Sequence, residues 1–265
     1  MSDAAAVEWF QRNGYLVVRG FWPAAKCALI ERDVREALDP VLGPVEYEAE
    51  VGYPGAPVNR SAPGGDTPRR LLFAYSRFPA LRRFAIAPAL RGYLAPLLKA
   101  DPGSKGVQAD EQGNDEVLLS QCHHNCVMTK APGFSSATLW HQDVRYWSFA
   151  EPALISAWLA RGAEHAGNGA LQIIPGTHRE ACAPERLDDR KFLRPDLPAN
   201  AALIASACTI ELAVGDLLLF HCRTFHAAGR NASDAVKLSP VFTYRGGANP
   251  PLPGTRSSAY PDIPL

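Results

Sequence analysis

The sequence lacks the features that mark nucleic-acid-binding, membrane and secreted proteins. Its 27 basic and 27 acidic residues cancel, so it has no broad electrostatic field for a nucleic acid or an anionic membrane surface. No apolar run approaches the roughly 20 residues of a membrane-spanning helix. Residues 1–8 contain an early acid and no basic segment, so we expect no signal peptide. We therefore expect neither nucleic acid nor a membrane as a partner.

The six cysteines form no framework for a metal or for disulfides. Cys122 and Cys126 are the closest pair, and no second pair stands near enough to complete a zinc site. We therefore expect reduced thiols and a cytoplasmic protein. The chain also has no internal repeat, low-complexity segment or linker, so we expect a single domain over residues 1–265, as a monomer or a homodimer.

What is present is a run of short strands. The 23 prolines and 21 glycines indicate a loop-rich fold. From residue 117, short runs of β-forming residues alternate with turns. We predict strands over residues 117–121, 125–130, 139–143, 154–160, 170–174, 209–213, 217–220 and 241–244. The predicted fold is mostly β with some α, with an antiparallel jelly roll or barrel at its core.

The first 116 residues read as a helical support layer. We predict helices over 3–13, 23–39, 78–86 and 88–98, with one strand over 15–19. Residues 40–70 are rich in proline and glycine, and we interpret them as a long loop that acts as a lid, because long loops in compact domains often bind ligands. We expect a polar, exposed segment over 101–116, a charged insertion over 178–204 and a tail over 246–265.

One pair of side chains indicates a metal site. His141 and Asp143 are two positions apart, so on an extended strand they point to the same side. Two histidines and one carboxylate form the ligand set of non-heme iron(II) oxygenases, which leaves three coordination positions open. The second histidine must come from a distant strand. His226 and His221 are both candidates, and the alternation of side chains along a strand does not choose between them.

Five segments, taken in order, resemble the phytanoyl-CoA dioxygenase-like family of iron(II)/2-oxoglutarate-dependent oxygenases. They are residues 127–133, 140–146, 157–160, 168–178 and 215–231. The resemblance implies a double-stranded β-helix (a cupin-like jelly roll) over residues 117–245, flanked by the N-terminal helices. It also chooses between the histidines and implies that His141, Asp143 and His226 hold the iron.

The resemblance implies an anchor for the far carboxylate of 2-oxoglutarate. The family usually has an arginine eleven positions after the distal histidine, and here that position is Lys237. Lysine keeps the charge but loses the bidentate fork. Arg245 is an alternative anchor, and a different co-substrate is a third possibility.

Two further residues fall where the family contacts its co-substrate. Trp158 matches a tryptophan beside the co-substrate, although it is equally explained as ordinary core. Cys126 matches a strand position that touches the co-substrate, with an inert buried thiol as the alternative.

For the substrate, we single out basic and aromatic residues near the iron site and the lid. Arg145 and Tyr146 closely follow the iron carboxylate, and Arg69 and Arg70 end the predicted lid. Surface ion pairs are the plain alternative for both lid arginines. His123 and His124 would point to opposite faces of a strand, so we expect one of them to face the pocket.

The expected activity is oxygen- and iron(II)-dependent hydroxylation of a small, possibly anionic, metabolite, with 2-oxoglutarate converted to succinate and carbon dioxide. Asp143 favours this outcome, because halogenating relatives replace that carboxylate with a small residue. Two alternatives stay open. One is a cupin-like metalloenzyme that does not use 2-oxoglutarate, which the lysine at 237 favours. The other is a non-catalytic, metal-bound sensor.

Overall fold

The computed structural model describes residues 3–53, 55–101 and 116–265. Its helices are α1 (Asp3–Asn13), α2 (Ala24–Glu36), α3 (Ala74–Arg77), α4 (Pro79–Ala85), α5 (Pro88–Lys99) and α6 (Pro198–Ala205). Its first strands are β1 (Tyr15–Val18), β2 (Val45–Tyr47), β3 (Pro68–Leu72), β4 (Val117–Leu119), β5 (Asn125–Lys130), β6 (Thr138–His141) and β7 (Leu154–Leu159). The remaining strands are β8 (Leu171–Ile173), β9 (Cys208–Thr209), β10 (Leu217–His221), β11 (His226–Ala228), β12 (Lys237–Gly246) and β13 (Ile263–Pro264).

The strands form two antiparallel sheets. The larger sheet has nine strands, with a main order of β1-β10-β7-β12-β5-β3-β2, and β4 joins β12 to β13. The smaller sheet has four strands in the order β6-β11-β8-β9. Neighbours in these sheets are distant in sequence, as the pairing of β7 with β10 and β12 shows. This arrangement confirms the predicted double-stranded β-helix with flanking helices.

Side chains that alternate along each strand fill two separate cores. Ile155, Ala157 and Leu159 of β7 belong to a cluster that also contains Leu81 and Leu94 of the N-terminal helices. Trp158, on the opposite face of β7, packs with Ile173 of β8 and Val241 of β12, which lie in different sheets. Because strand side chains alternate between faces, one face of the large sheet supports the helices and the other closes the barrel.

The N-terminal layer contains strands as well as helices. The prediction of a long loop over residues 40–70 was wrong near both ends, because β2 pairs with β3 and β3 pairs with β5 of the large sheet. Unpaired backbone groups at the edge of β5 are satisfied by this pairing. Within the predicted tail, β13 pairs with β4. The predicted insertion contains α6, and residues 102–115 of the predicted polar segment lie outside the described residues.

Among the helices that the structure describes, none combines the length and the apolar character needed to cross a membrane.

Candidate active site

Three short elements bring the predicted metal ligands together. His141 is the last residue of β6, and His226 is the first residue of β11 and its direct cross-strand partner. Asp143 opens a 3-10 turn over Asp143–Tyr146 and is not on the strand itself. The expectation that an extended strand aligns His141 with Asp143 was therefore wrong in its mechanism, although the two side chains do converge.

The ligand atoms face one another at distances that exclude hydrogen bonds. Asp143 Oδ1 lies 3.7 Å from His141 Nε2 and 3.6 Å from His226 Nε2. His141 Nδ1 donates to the Leu139 carbonyl (2.8 Å), and His226 Nδ1 donates to the Thr224 carbonyl (3.0 Å). Since each imidazole carries its hydrogen on Nδ1, both Nε2 lone pairs point towards the carboxylate.

The protonation states suit a metal ion. Burial, followed by the nearby His226, lowers the pKa of His141 to about 3, so its ring is neutral at physiological pH. Burial alone would raise the pKa of Asp143, but the surrounding histidines His124, His226 and His141 hold that pKa below its ordinary value. The site therefore presents a neutral His141 ring and an ionised Asp143 carboxylate to a metal ion.

The other carboxylate oxygen of Asp143 is held from outside. Ser156 Oγ donates to Asp143 Oδ2 (3.3 Å), and His124 Nδ1 lies 3.6 Å from the same oxygen. This leaves Oδ1 directed at the two histidines. Outer contacts of this kind orient metal ligands and tune their affinity.

The donor set fits iron(II). The three ligand atoms all lie within 4.8 Å of one another. Ligands bound at roughly 2.1 Å from one ion can be separated by up to about 4.2 Å, so the observed separations from Asp143 are within reach. Three converging acceptors with no hydrogen between them need a cation to offset their repulsion. Two imidazoles and one carboxylate are the ligands expected for non-heme iron(II), with positions left open.

A cavity of about 360 Å³ opens from the triad, a size typical of a site for a small molecule. Trp158, Leu171, Phe220 and Ala228 line its inner part. Two buried lysines, Lys130 and Lys237, also line the cavity. The cavity therefore combines apolar walls with several charged groups, among them Asp143, the two lysines and Arg69.

The two lysines are direct cross-strand partners on β5 and β12. Lys237 Nζ donates to Glu164 Oε2 (2.9 Å) in a buried ion pair. Lys130 Nζ donates to the carbonyls of Gly229 (2.6 Å) and Ser136 (3.1 Å), and it has no carboxylate partner among the described residues. Burial, followed by repulsion from Arg69 and Lys237, lowers the pKa of Lys130 to about 7.

The other predicted co-substrate contacts fall in different places. Trp158 lines the cavity and donates its indole N–H to Glu164 Oε1 (3.0 Å). Cys126 is buried beside Trp158 in the barrel core, and burial raises the pKa of its thiol to about 11. Arg245 is not brought to the cavity: its guanidinium binds Asp262 of the tail (2.5 Å) and nearby backbone carbonyls.

The predicted substrate residues also divide. Arg69 and Arg70 line the cavity, and each is paired with an acid of the preceding segment, Glu48 and Glu46 respectively. Tyr146 lines the cavity mouth. Arg145 does not line it. Its guanidinium lies 3.7 Å above the centre of the Phe192 ring, and its Nε and Nη1 have no hydrogen-bond partner in the described part of the chain.

His221, the rival metal ligand, lies elsewhere. Its Nε2 is 2.6 Å from Asp101 Oδ2, and its Nδ1 accepts from the Arg223 amide. Both ring nitrogens are therefore engaged away from the triad. His123 and His124, by contrast, both line the cavity, because they sit in a turn before β5 where strand alternation does not apply.

Sequence reasoning missed Lys130, Ser156 and Glu164 as functional residues. Lys130 stood inside a family-like segment, but its position opposite Lys237 depends on strand register. Ser156 is an ordinary residue of β7 by its pattern. Glu164 lies in a loop and has no signal in the sequence around it.

The fold and the site define a class of protein. A double-stranded β-helix that carries two histidines and an aspartate on one face of a buried cavity has the architecture of the non-heme iron(II)/2-oxoglutarate-dependent dioxygenases. This protein is one of them.

The model of the family named phytanoyl-CoA dioxygenase (PhyH) matches residues 10–239. The chain belongs to this family.

Curated relatives and solved structures agree with the family. The ectoine dioxygenase of Halomonas elongata is 30% identical over 157 residues, a match that covers 49% of this chain and 47% of the relative. The ectoine dioxygenase of Bordetella parapertussis is 23% identical over 266 residues, which covers 93% of this chain and 76% of the relative. The crystal structure of EctD from S. alaskensis with 2-oxoglutarate and 5-hydroxyectoine is similar in fold, with a TM-score of 0.71 at 19% identity, covering 98% of this chain and 82% of that one.

Proposed function

We propose that this dioxygenase hydroxylates a small metabolite that carries a carboxylate, with 2-oxoglutarate spanning the cavity between the triad and the two lysines. The single observation that carries the proposal is the cavity itself, which is lined both by His141, Asp143 and His226 and by Lys130 and Lys237. A short dianion needs a metal at one end and a cation at the other. When bound, iron(II) and 2-oxoglutarate supply the activation of oxygen, with release of succinate and carbon dioxide.

The protein's own part is to bind, orient and exclude water. Asp143 and the two histidines hold the metal on one face, so the remaining positions face the cavity. Trp158, Leu171 and Phe220 give the middle of the cavity apolar walls. Lys237 and Lys130 then hold the far carboxylate of the co-substrate, and Arg245 takes no part because Asp262 already binds it.

Arginines at the cavity mouth support a carboxylate-bearing substrate. Arg256 lines the mouth and has no carboxylate partner among the described residues. Arg190 also lines the mouth, and its guanidinium is held by backbone carbonyls of Val51 and Gly52. Arg70, by contrast, is already neutralised by Glu46. Two relatives are named ectoine dioxygenase, which supports a small metabolite as the substrate.

The lid, the quaternary state and the compartment belong to the same proposal. Residues from the predicted lid, among them Glu50, Val51 and Tyr53, line the cavity mouth, which supports closure of this segment over a bound substrate.

A single domain over residues 1–265, a monomeric or homodimeric state and a cytoplasmic location stay predictions.

An anaerobic titration of the iron(II)-loaded protein with 2-oxoglutarate tests the proposal. We expect a saturable visible charge-transfer band, and we expect it to be lost in Asp143→Ala because the metal loses its only carboxylate ligand. Iron binding without the band would instead favour a cupin-like metalloenzyme that does not use 2-oxoglutarate. A band without succinate formation for any carboxylate substrate, ectoine included, would favour a sensor.

A further inference from the structure

Glu164 is a buried acid beside Lys237, and the chemistry described above does not use it. Its side chain is 1% exposed. Oε1 accepts from Trp158 Nε1 (3.0 Å) and Ser239 Oγ (2.7 Å), and Oε2 accepts from Lys237 Nζ (2.9 Å). Three donors from two strands of the barrel therefore converge on one carboxylate.

The backbone that carries this carboxylate is fixed. Glu164 exchanges two backbone hydrogen bonds with Leu212, of 2.8 and 3.0 Å, in an isolated antiparallel bridge. Since both its main chain and its side chain are held, Glu164 is a rigid element beside Lys237. If a ligand entered the cavity, the Glu164 carboxylate could move only by losing its hydrogen bonds to Trp158, Ser239 and Lys237.

The pair determines what Lys237 can offer a ligand. An ammonium has three N–H groups. One donates to Glu164 and a second, at 3.4 Å, is directed to Ser239 Oγ, so one is left for the cavity that Lys237 lines. Lysine can serve two carboxylates at once because its donors point in separate directions, whereas an arginine fork matches a single carboxylate in bidentate fashion.

We propose that Glu164 is a positioning residue for the co-substrate: it holds the Lys237 ammonium so that its remaining N–H meets the far carboxylate of 2-oxoglutarate. This inference rests on the proposed function. It explains why this chain has a lysine at 237, because an arginine there would be captured by Glu164 and turned from the cavity. Glu164 is not itself a lining residue of the cavity, and it contacts two residues that are, Lys237 and Trp158, so it acts on a bound ligand through them.

The test compares two ligands in four proteins. The proteins are the wild type, Glu164→Gln, Lys237→Arg and the double variant, each loaded with Mn(II). The ligands are 2-oxoglutarate and 2-oxopentanoate, which has the same carbon chain without the far carboxylate. Dissociation constants are measured by isothermal titration calorimetry, so that no turnover is needed.

We expect Glu164→Gln to weaken 2-oxoglutarate binding by on the order of tenfold, the value of one hydrogen bond to a charged group. Lys237→Arg should show a similar loss, because Glu164 captures the new guanidinium, and the double variant should recover most of it. Binding of 2-oxopentanoate should stay within about twofold in all four proteins, since it does not reach the pair.

The outcomes separate a positioning role from a structural one. Equal weakening of both ligands in Glu164→Gln, or unchanged or tighter 2-oxoglutarate binding, would overturn the inference. If Glu164→Gln fails to fold, the Lys237→Arg variant still tests the inference, because it keeps an ion pair with Glu164. Unchanged binding of 2-oxoglutarate by Lys237→Arg would overturn the inference. A wild type that shows no preference for 2-oxoglutarate over 2-oxopentanoate would instead refute the proposed function.

Discussion

Lys130 is a buried lysine whose charge depends on pH in the physiological range. Burial, followed by repulsion from Arg69 and Lys237, lowers its pKa to about 7, and Glu48 and Glu164 oppose this shift. Its hydrogen-bond acceptors are backbone carbonyls, which do not compensate a full charge. Lys237, by comparison, has Glu164 as a counter-ion. We therefore expect Lys130 to make the binding of the co-substrate depend on pH.

We predict that the dissociation constant of 2-oxoglutarate rises as the pH rises through 7. Below that pH Lys130 carries a proton and attracts the far carboxylate, and above it the free protein must take up a proton to bind. The dependence is limited to about tenfold per pH unit for one proton. Calorimetry between pH 6 and 8.5 measures it, and Lys130→Met should bind weakly at every pH. Burial lowers the pKa of His123 to about 3 and also lowers the pKa of His124 from its ordinary value, so both pKa values lie below that of Lys130. A dependence that persists in Lys130→Met would exclude Lys130 as its source.

At the same scale, the sequence predicts ligands that are neighbours but misses partners that only the fold brings together. His141 and Asp143 could be identified because they are close in sequence and lie in a segment that resembles the family, and His226 because the family pattern marks it. The opposition of Lys130 and Lys237 depends on the register of β5 and β12, which no local pattern encodes. Glu164 reaches its position through a bridge to Leu212, which is 48 residues away in the chain, and this too is invisible in the sequence.

Among the elements, the turn between α1 and β1 links the N-terminal layer to the strand that precedes the distal histidine. Gly14 lies in this turn with a φ of +76°, a conformation that L side chains rarely adopt. Its carbonyl accepts from the His221 amide (2.9 Å) and from Thr224 Oγ1 (2.8 Å), just before His226. The turn therefore fixes the end of β10 from which the chain leads to the metal ligand.

We predict that Gly14→Ala destabilises the protein by roughly 2–4 kcal/mol, from the left-handed backbone and from overpacking together. A Cβ at this position would lie 2.4 Å from His178 Nδ1 and 2.5 Å from Thr224 Oγ1. Urea unfolding measures the change. Gly92→Ala is the matched control, because Gly92 is an exposed residue of α5 with nothing within 4 Å, and it should gain up to about 1 kcal/mol. If Gly14→Ala changed the free energy of unfolding as little as Gly92→Ala does, the turn would be shown to relax around the new side chain.

Elements with a regular period were predicted well, and those defined by pairing were not. Strand β5 has the predicted bounds because it is a short run of β-forming residues, and helix α1 has them because Asp3 and Asn13-Gly14 mark its two ends. The prolines and glycines around β2 and β3 predict a loop. In the structure, these two strands instead complete the edge of the large sheet beside β5. Strand β11 has three residues, too few to show a period.

At the scale of the whole molecule, the metal site is built from strands and turns that are distant in sequence and that the folded barrel brings together. Asp143 follows β6, His226 begins β11, and the residues that orient Asp143 come from β7 and the turn before β5. The small sheet supplies the histidines, and the large sheet supplies Ser156 and both lysines. A ligand that bridges metal and lysines therefore ties the two sheets together. Binding to the folded state alone must raise its stability.

We predict that Mn(II) with 2-oxoglutarate raises the melting temperature well above the effect of Mn(II) with 2-oxopentanoate. At a concentration 100 times the dissociation constant, a ligand contributes about 2.7 kcal/mol, which for a domain of this size is on the order of 5–10 °C. Differential scanning calorimetry compares the two additions in the wild type and in Asp143→Ala. The variant should lose the response to both, because its metal site is incomplete. If 2-oxopentanoate stabilised the wild type as much as 2-oxoglutarate does, the far carboxylate would add no link between the sheets, and the lysines would have to serve some other ligand.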